Sequence, residues 1–89
     1  MKIQISKRFV KDAEKITDPR ILAKIRTIVE STNTIQGISE ITGTKEMAGH
    51  PNFYRIKFDF HYRIGVHCDG ETVQFLRVGV RGDFYKKFP

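Results

Sequence analysis

Phe53-Tyr54-Arg55-Ile56-Lys57-Phe58-Asp59-Phe60 is the stretch whose reading decides the fold. Tyr54, Ile56, Phe58 and Phe60 alternate with Arg55, Lys57 and Asp59. Successive side chains on a strand point to opposite faces, so this segment has one apolar face and one charged face. The same period of two runs through Tyr62 to Cys68 and Thr72 to Val80, with the tight-turn signal Asp69-Gly70 between them. Lys45 to Met47 reads as a further short strand. The second half of the chain is therefore an antiparallel meander of three or four strands.

Working outward toward the start, the period changes. Ile3 and Ile5 alternate with polar neighbours as a short opening strand. Ser6 is placed to cap a helix in which Phe9, Val10, Ala13 and Ile16 follow at helical spacing. Asp18 caps a second helix, with Pro19 at its first position, where the missing N–H costs nothing. Ile21, Leu22, Ile25, Ile28 and Val29 form its apolar stripe. A link of a residue or two makes the helices a hairpin laid on the sheet. Ser31 to Thr44, broken by Gly37 and Gly43, connects this hairpin to the meander, tethered by Ile35, Ile38 and Ile41. The predicted class is α+β, and residues 1–89 make a single domain, since 89 residues leave no room for a second core.

Composition narrows the partners. Sixteen Lys and Arg against ten Asp and Glu leave a net charge of +6, and the pI is about 9.7. Such a balance favours an anionic partner: nucleic acid, an acidic protein or an anionic membrane surface. Cys68 is the only cysteine, which excludes an internal disulfide and a Cys-rich metal cluster. His50, His61 and His67 lack metal-ligand spacing. No apolar run reaches the length of a membrane span, and the opening residues do not resemble a secretory signal, so a cytoplasmic location without membrane contact is the expectation.

The strand alternation assigns Arg55, Lys57, Arg63, Arg77 and Arg81 to one outward face, with Asp59 the only acid before Gly82. Leu76, Val78 and Val80 are expected to point inward. If the chain stays extended past Gly82, Asp83 and Tyr85 continue along the outward face. A solvated face usually mixes signs, because like charges opposite one another destabilise a sheet, so a surface this cationic points to an anionic ligand. Lys7, Lys11 and Lys15 add a basic stripe on the first helix, which is a solvated face or a non-specific phosphate contact.

The run Gly49 to Lys57, then Tyr62-Arg63-Ile64, then Leu76 to Arg81 with Tyr85, resembles the RelE/ParE toxin superfamily of bacterial toxin–antitoxin systems. The order of strand, helical hairpin and meander is similar to that superfamily's fold over nearly the whole chain. The RelE branch implies an mRNA interferase that cleaves messenger RNA in the ribosomal A site without a metal or other cofactor. On this resemblance Lys57, Arg63, Arg81 and Tyr85 are catalytic, and Arg55 matches a further basic position. Arg77, Lys7 and Lys11 join Arg55 as expected RNA-binding residues. The first basic position is a lysine in the best-known member and an arginine here, which changes the geometry of its contacts. The spacing from Arg81 to Tyr85 is shorter than in the family, and no long C-terminal helix is expected.

The implied chemistry is attack of a 2′-hydroxyl on the adjacent phosphorus. Lys57, crowded by other cations, is the candidate base, Arg63 and Arg81 stabilise phosphate charge, and Tyr85 stacks on a base or orients the hydroxyl. Implied partners are a cognate acidic antitoxin, the ribosome and its mRNA, with operator DNA reached only through the antitoxin complex. The alternatives are a ParE-like gyrase inhibitor that acts by binding, and a catalytically inactive toxin-like co-repressor.

Overall fold

A computed structural model describes residues 1–89. Strand β1 (Lys2–Ile5) leads into helices α1 (Lys7–Glu14) and α2 (Pro19–Ser31), then a 3₁₀ turn (Ile38–Glu40). Strands β2 (Thr44–Glu46), β3 (Phe53–Phe58), β4 (Tyr62–Cys68) and β5 (Thr72–Val80) follow, and helix α3 (Arg81–Lys87) comes last. The caps form as their residue types dictate. Ser6 Oγ accepts from the Phe9 amide at 3.1 Å, and the Asp18 carboxylate accepts from the Arg20 amide at 2.9 Å. These bonds satisfy donors that the first helical turn would otherwise orphan.

The five strands form one sheet in the order β1-β5-β4-β3-β2. Strands β2 to β5 are the antiparallel meander, and β1 lies parallel to β5 at its edge. The expected α+β class and element order hold. On the inner face, Ile56, Ile64 and Val78 pair across three strands, as do Tyr54, Val66 and Phe75. Phe9 of α1 and Ile21 and Ile25 of α2 complete this core, with the Phe9 ring edge-on to Phe75 at 5.5 Å. Burying each such side chain contributes about 1.5–3 kcal/mol. Cys68 lies in the same core.

β5 departs from simple alternation. Val66 pairs with Phe75 but Gly65 pairs with Arg77, so Leu76 is an extra residue in a β-bulge. The bulge lets Val73, Phe75 and Val78 all face the core, although their parity changes between Phe75 and Val78. Leu76 is consequently outside the core cluster, contrary to its expected inward position. Val80 and Phe60, also expected inward, are exposed by 48% and 75%. Phe60 sits in the β3–β4 turn, where Asp59 and Phe60 both have positive φ and strand alternation has ended.

Pairing between β1 and β5 stops at Ile5–Phe75, which leaves the β5 edge open beyond that point. Helix α1 closes it with side chains. Ser6 Oγ donates to the Leu76 carbonyl at 3.0 Å, and the Asp12 carboxylate accepts from the Val78 amide at 3.1 Å. Past Val80 the chain turns helical rather than staying extended. Phe84 and Phe88, one helical turn apart, are 1% and 5% exposed. The Phe88 ring lies against Gly65 on the outer face, where an added Cβ would sit 2.6 Å from the ring. Helix α3 therefore covers part of a face expected to be wet.

Candidate functional site

Register arranges the outer face in rows. Lys57 of β3 lies opposite Arg63 of β4, which lies opposite Gly79 of β5. The next row runs Lys45, Arg55, Gly65 and Arg77 across β2 to β5. The third places Phe53 opposite His67 and His67 opposite Gln74. Directly opposed residues in antiparallel strands share a face, so Lys57 and Arg63 do converge.

Their environments differ. Lys57 is exposed, and its Nζ stands 5.9 Å from the centroid of the Phe60 ring. Arg63 is only 5% exposed; its Nη1 donates to the carbonyls of Phe60 and Tyr62, each at 3.0 Å, while Nε is buried without a partner. The guanidinium thus grips the β3–β4 turn from beneath. The Arg81 amide donates to the His61 carbonyl of that same turn at 2.7 Å, which anchors the start of α3 beside the Lys57–Arg63 row. The turn is held from the other side by Lys24 of α2, whose Nζ meets Asp59 at 2.6 Å.

The Arg81 side chain is exposed. Tyr85 follows one helical turn later and is 45% exposed, its ring edge-on to Phe84 at 5.2 Å. Residues at i and i+4 share a helix face, so α3 brings Tyr85 over Arg81 despite the short separation in sequence. An extended chain would have carried Tyr85 away from the turn. Arg55 is half-buried, and its Nη1 donates to the Gly43 carbonyl, which also accepts from the Lys57 amide. Gly43 has φ +88°, and any Cβ there would strike the Lys57 carbonyl, so this position supporting both cations requires glycine.

Arg77 is placed differently from its expected RNA-binding role. Its Nε and Nη2 hold the two oxygens of Asp12 at 2.8 and 3.0 Å, and the side chains are 18% and 6% exposed. Burial of Asp12 opposes its charged form. The Arg77 and Val78 hydrogen bonds, with the charges of Arg77 and Lys87, outweigh that and hold its pKa below the ordinary carboxylate value. Arg77 is therefore a fastener between β5 and α1. The pair was missed because its acid sits on a helix flank, though an acid three residues after the core residue Phe9 was a usable signal.

Lys7 and Lys11 are exposed on α1. Arg8 of α1 lines a cavity of about 200 Å³ with Lys87, and Lys15, just past the end of α1, lines one of about 240 Å³ with the same lysine. Ion pairing in the chain is limited to Arg20–Asp18, Lys24–Asp59 and Arg77–Asp12. Lys57, Arg63 and Arg55 thus share the outer face, and neither they nor Arg81 at the start of α3 has a carboxylate partner. No helix is long and apolar enough to cross a membrane.

No protein-family model matches the chain. It is 33% identical to Toxin RelE3 of Methanocaldococcus jannaschii over 90 residues, covering 100% of both chains. The chain belongs to the RelE toxin family. The RelE fold is matched in the RelB–RelE antitoxin–toxin complex from Methanococcus jannaschii, with a TM-score of 0.82, 31% identity and coverage of 97% of this chain and 99% of that one. The isolated RelE toxin of E. coli shares the fold at a TM-score of 0.65 and 18% identity, over 89% of this chain and 82% of that one. Within the RelE frame, the features that sequence reading did not reach are helix α3, Arg8, Lys87 and the Arg63 grip on the turn. The i, i+4 pair Phe84 and Phe88 was the available signal for α3.

Proposed function

We propose that this protein is the toxin of a type II toxin–antitoxin system and acts as a ribosome-dependent, metal-independent endoribonuclease on mRNA. The supporting observation is the Lys57–Arg63 row: it carries no acid, lies beside the anchored start of α3, and leaves Lys57 and Arg81 open to solvent. Cations left unneutralised at one spot suit a phosphodiester, whose charge grows as the phosphorane forms.

In the proposed reaction Lys57 is the base that takes the proton from a ribose 2′-hydroxyl. The oxygen then bonds to phosphorus as the bond to the 5′ oxygen breaks, leaving a 2′,3′-cyclic phosphate, and the departing 5′ oxygen takes a proton from water to become the 5′-hydroxyl. Arg81 offers its fork to the non-bridging oxygens. Tyr85, one helical turn further along α3, orients the attacking ribose or stacks on its base. Arg63 acts differently from the direct phosphate contact that the sequence suggested: it holds the turn that anchors Arg81 and adds positive charge from below.

The row holds no histidine and no carboxylate pair for efficient proton transfer. The proposed dependence on the ribosome follows, since a ribosome holding the message in an attackable geometry supplies what the side chains do not. An acidic antitoxin is the proposed partner, covering the cationic face, in keeping with the RelB–RelE complex of similar fold. Primer-extension mapping on a translated message tests the reading. Cuts confined to translated regions are expected. Equal cutting of naked RNA, or intact messages in cells expressing the protein, would overturn it.

A further inference from the structure

We infer that the cavity between α1, the β5 bulge and the residues after α3 is a nucleobase subsite for the RNA strand flanking the scissile phosphate. This rests on the ribonuclease reading and names a second contact for the same substrate. The cavity holds about 200 Å³ and is lined by Phe53, Leu76 and Phe88, with Arg8, Arg77 and Lys87 around them. Its apolar floor exists because of the bulge, which removes Leu76 from the core and lays it beside Phe53 on the outer face. The Phe53 and Phe88 rings meet at 5.9 Å and 66°, and His67 backs Phe53 at 4.9 Å.

An apolar, ring-lined concavity with a cationic rim suits a flat heterocycle attached to a phosphate chain. Arg77 is neutralised by Asp12, so Arg8 and Lys87 supply the rim's free charge. Phe53 and Lys57 lie on the same face of one strand, four residues apart, a span of about 13 Å. An RNA strand lying on Lys57 and Arg81 therefore has a neighbouring base within reach of the cavity. The continuity with the proposed cleavage row favours RNA over an acidic peptide.

The test is an NMR titration of the full chain with a short single-stranded RNA bearing 2′-O-methyl groups, which cannot be cut. Leu76 methyl and Phe53 and Phe88 ring signals are expected to move together with those of Tyr85. Leu76→Trp, which fills the cavity, should abolish the Phe53 shifts, keep those at Tyr85, and change relative cutting among sites on a translated message by roughly tenfold. Arg8→Ser, at an exposed position, should weaken the same shifts without disturbing the floor. Movement at Tyr85 with none at Phe53 or Leu76 would overturn the subsite and leave the ribonuclease reading standing. No movement anywhere on the outer face would likewise overturn the subsite, whereas intact messages in cells expressing the protein would overturn the ribonuclease reading. Equal Phe53 and Leu76 shifts with a peptide of Asp and Glu would show a general polyanion surface and overturn the base subsite.

Discussion

The two faces of the sheet are built on different terms. The inner face is apolar across four strands, and each residue there does one thing, which is to fill space under α1 and α2. The outer face carries Lys45, Arg55, Lys57, Arg63 and Arg77, with Arg81 at the start of α3, yet these cations have separate tasks. Arg77 fastens a helix, Arg63 holds a turn, and Lys57 and Arg81 are left open. Charge alone therefore says little about which cation meets a substrate. Burial and the presence of a partner decide it.

The sharpest way to break this contrast is to remove the fastener. Asp12→Ala strands the Arg77 guanidinium and the Val78 amide at a poorly solvated edge, so unfolding in urea should show a loss on the order of 3 kcal/mol. Asp12→Leu with Arg77→Met should recover only part of it, because the Val78 N–H remains unpaired. The sign of the pH effect follows from the depressed Asp12 pKa. Its stabilisation is complete above the unfolded carboxylate value, about 3.9, and is lost as pH falls through the lower folded value. In Asp12→Asn that acid-side decline should shrink, as read by melting temperature against pH.

Next in size is the contact that lays α3 on the outer face. Gly65→Ala puts a methyl 2.6 Å from the Phe88 ring, so α3 must shift. A stability loss of about 1–3 kcal/mol is expected. Because Arg81 and Tyr85 ride on α3, RNA cleavage should fall with it. Full cleavage in a destabilised Gly65→Ala would separate α3 from the chemistry.

The smallest effect belongs to the Lys24–Asp59 pair, whose side chains are 53% and 37% exposed. Lys24→Ala should cost no more than about 1 kcal/mol, and less at high salt. A larger loss of cleavage than of stability would show that the β3–β4 turn must be held from both sides.

Much of the inner face was legible because its signal is local. Alternation in Phe53 to Phe58, the caps Ser6 and Asp18, and the Asp69-Gly70 turn each act within a few residues. Asp69 illustrates this, accepting from the Glu71 and Thr72 amides at 2.9 and 2.8 Å. The outer face depends on residues far apart in sequence. Arg77 meets Asp12 across 65 positions, and Phe88 reaches Gly65 by way of a helix that an extended reading of Arg81 to Tyr85 did not contain. The bulge at Leu76 had a trace in the sequence. Val73 and Phe75 are apolar on one parity and Val78 on the other, and all three cannot face a core without an extra residue between them.

Single-turnover cleavage on message-programmed ribosomes, measured beside urea unfolding for Arg81→Ala, Lys57→Ala and Arg77→Ala, tests the division of labour most directly. The two exposed cations should leave stability within about 0.5 kcal/mol of the parent and lower cleavage about 100-fold or more. Arg77→Ala should do the reverse, unfolding early while its folded fraction still cuts. Full cleavage by Arg81→Ala and Lys57→Ala would contradict the account.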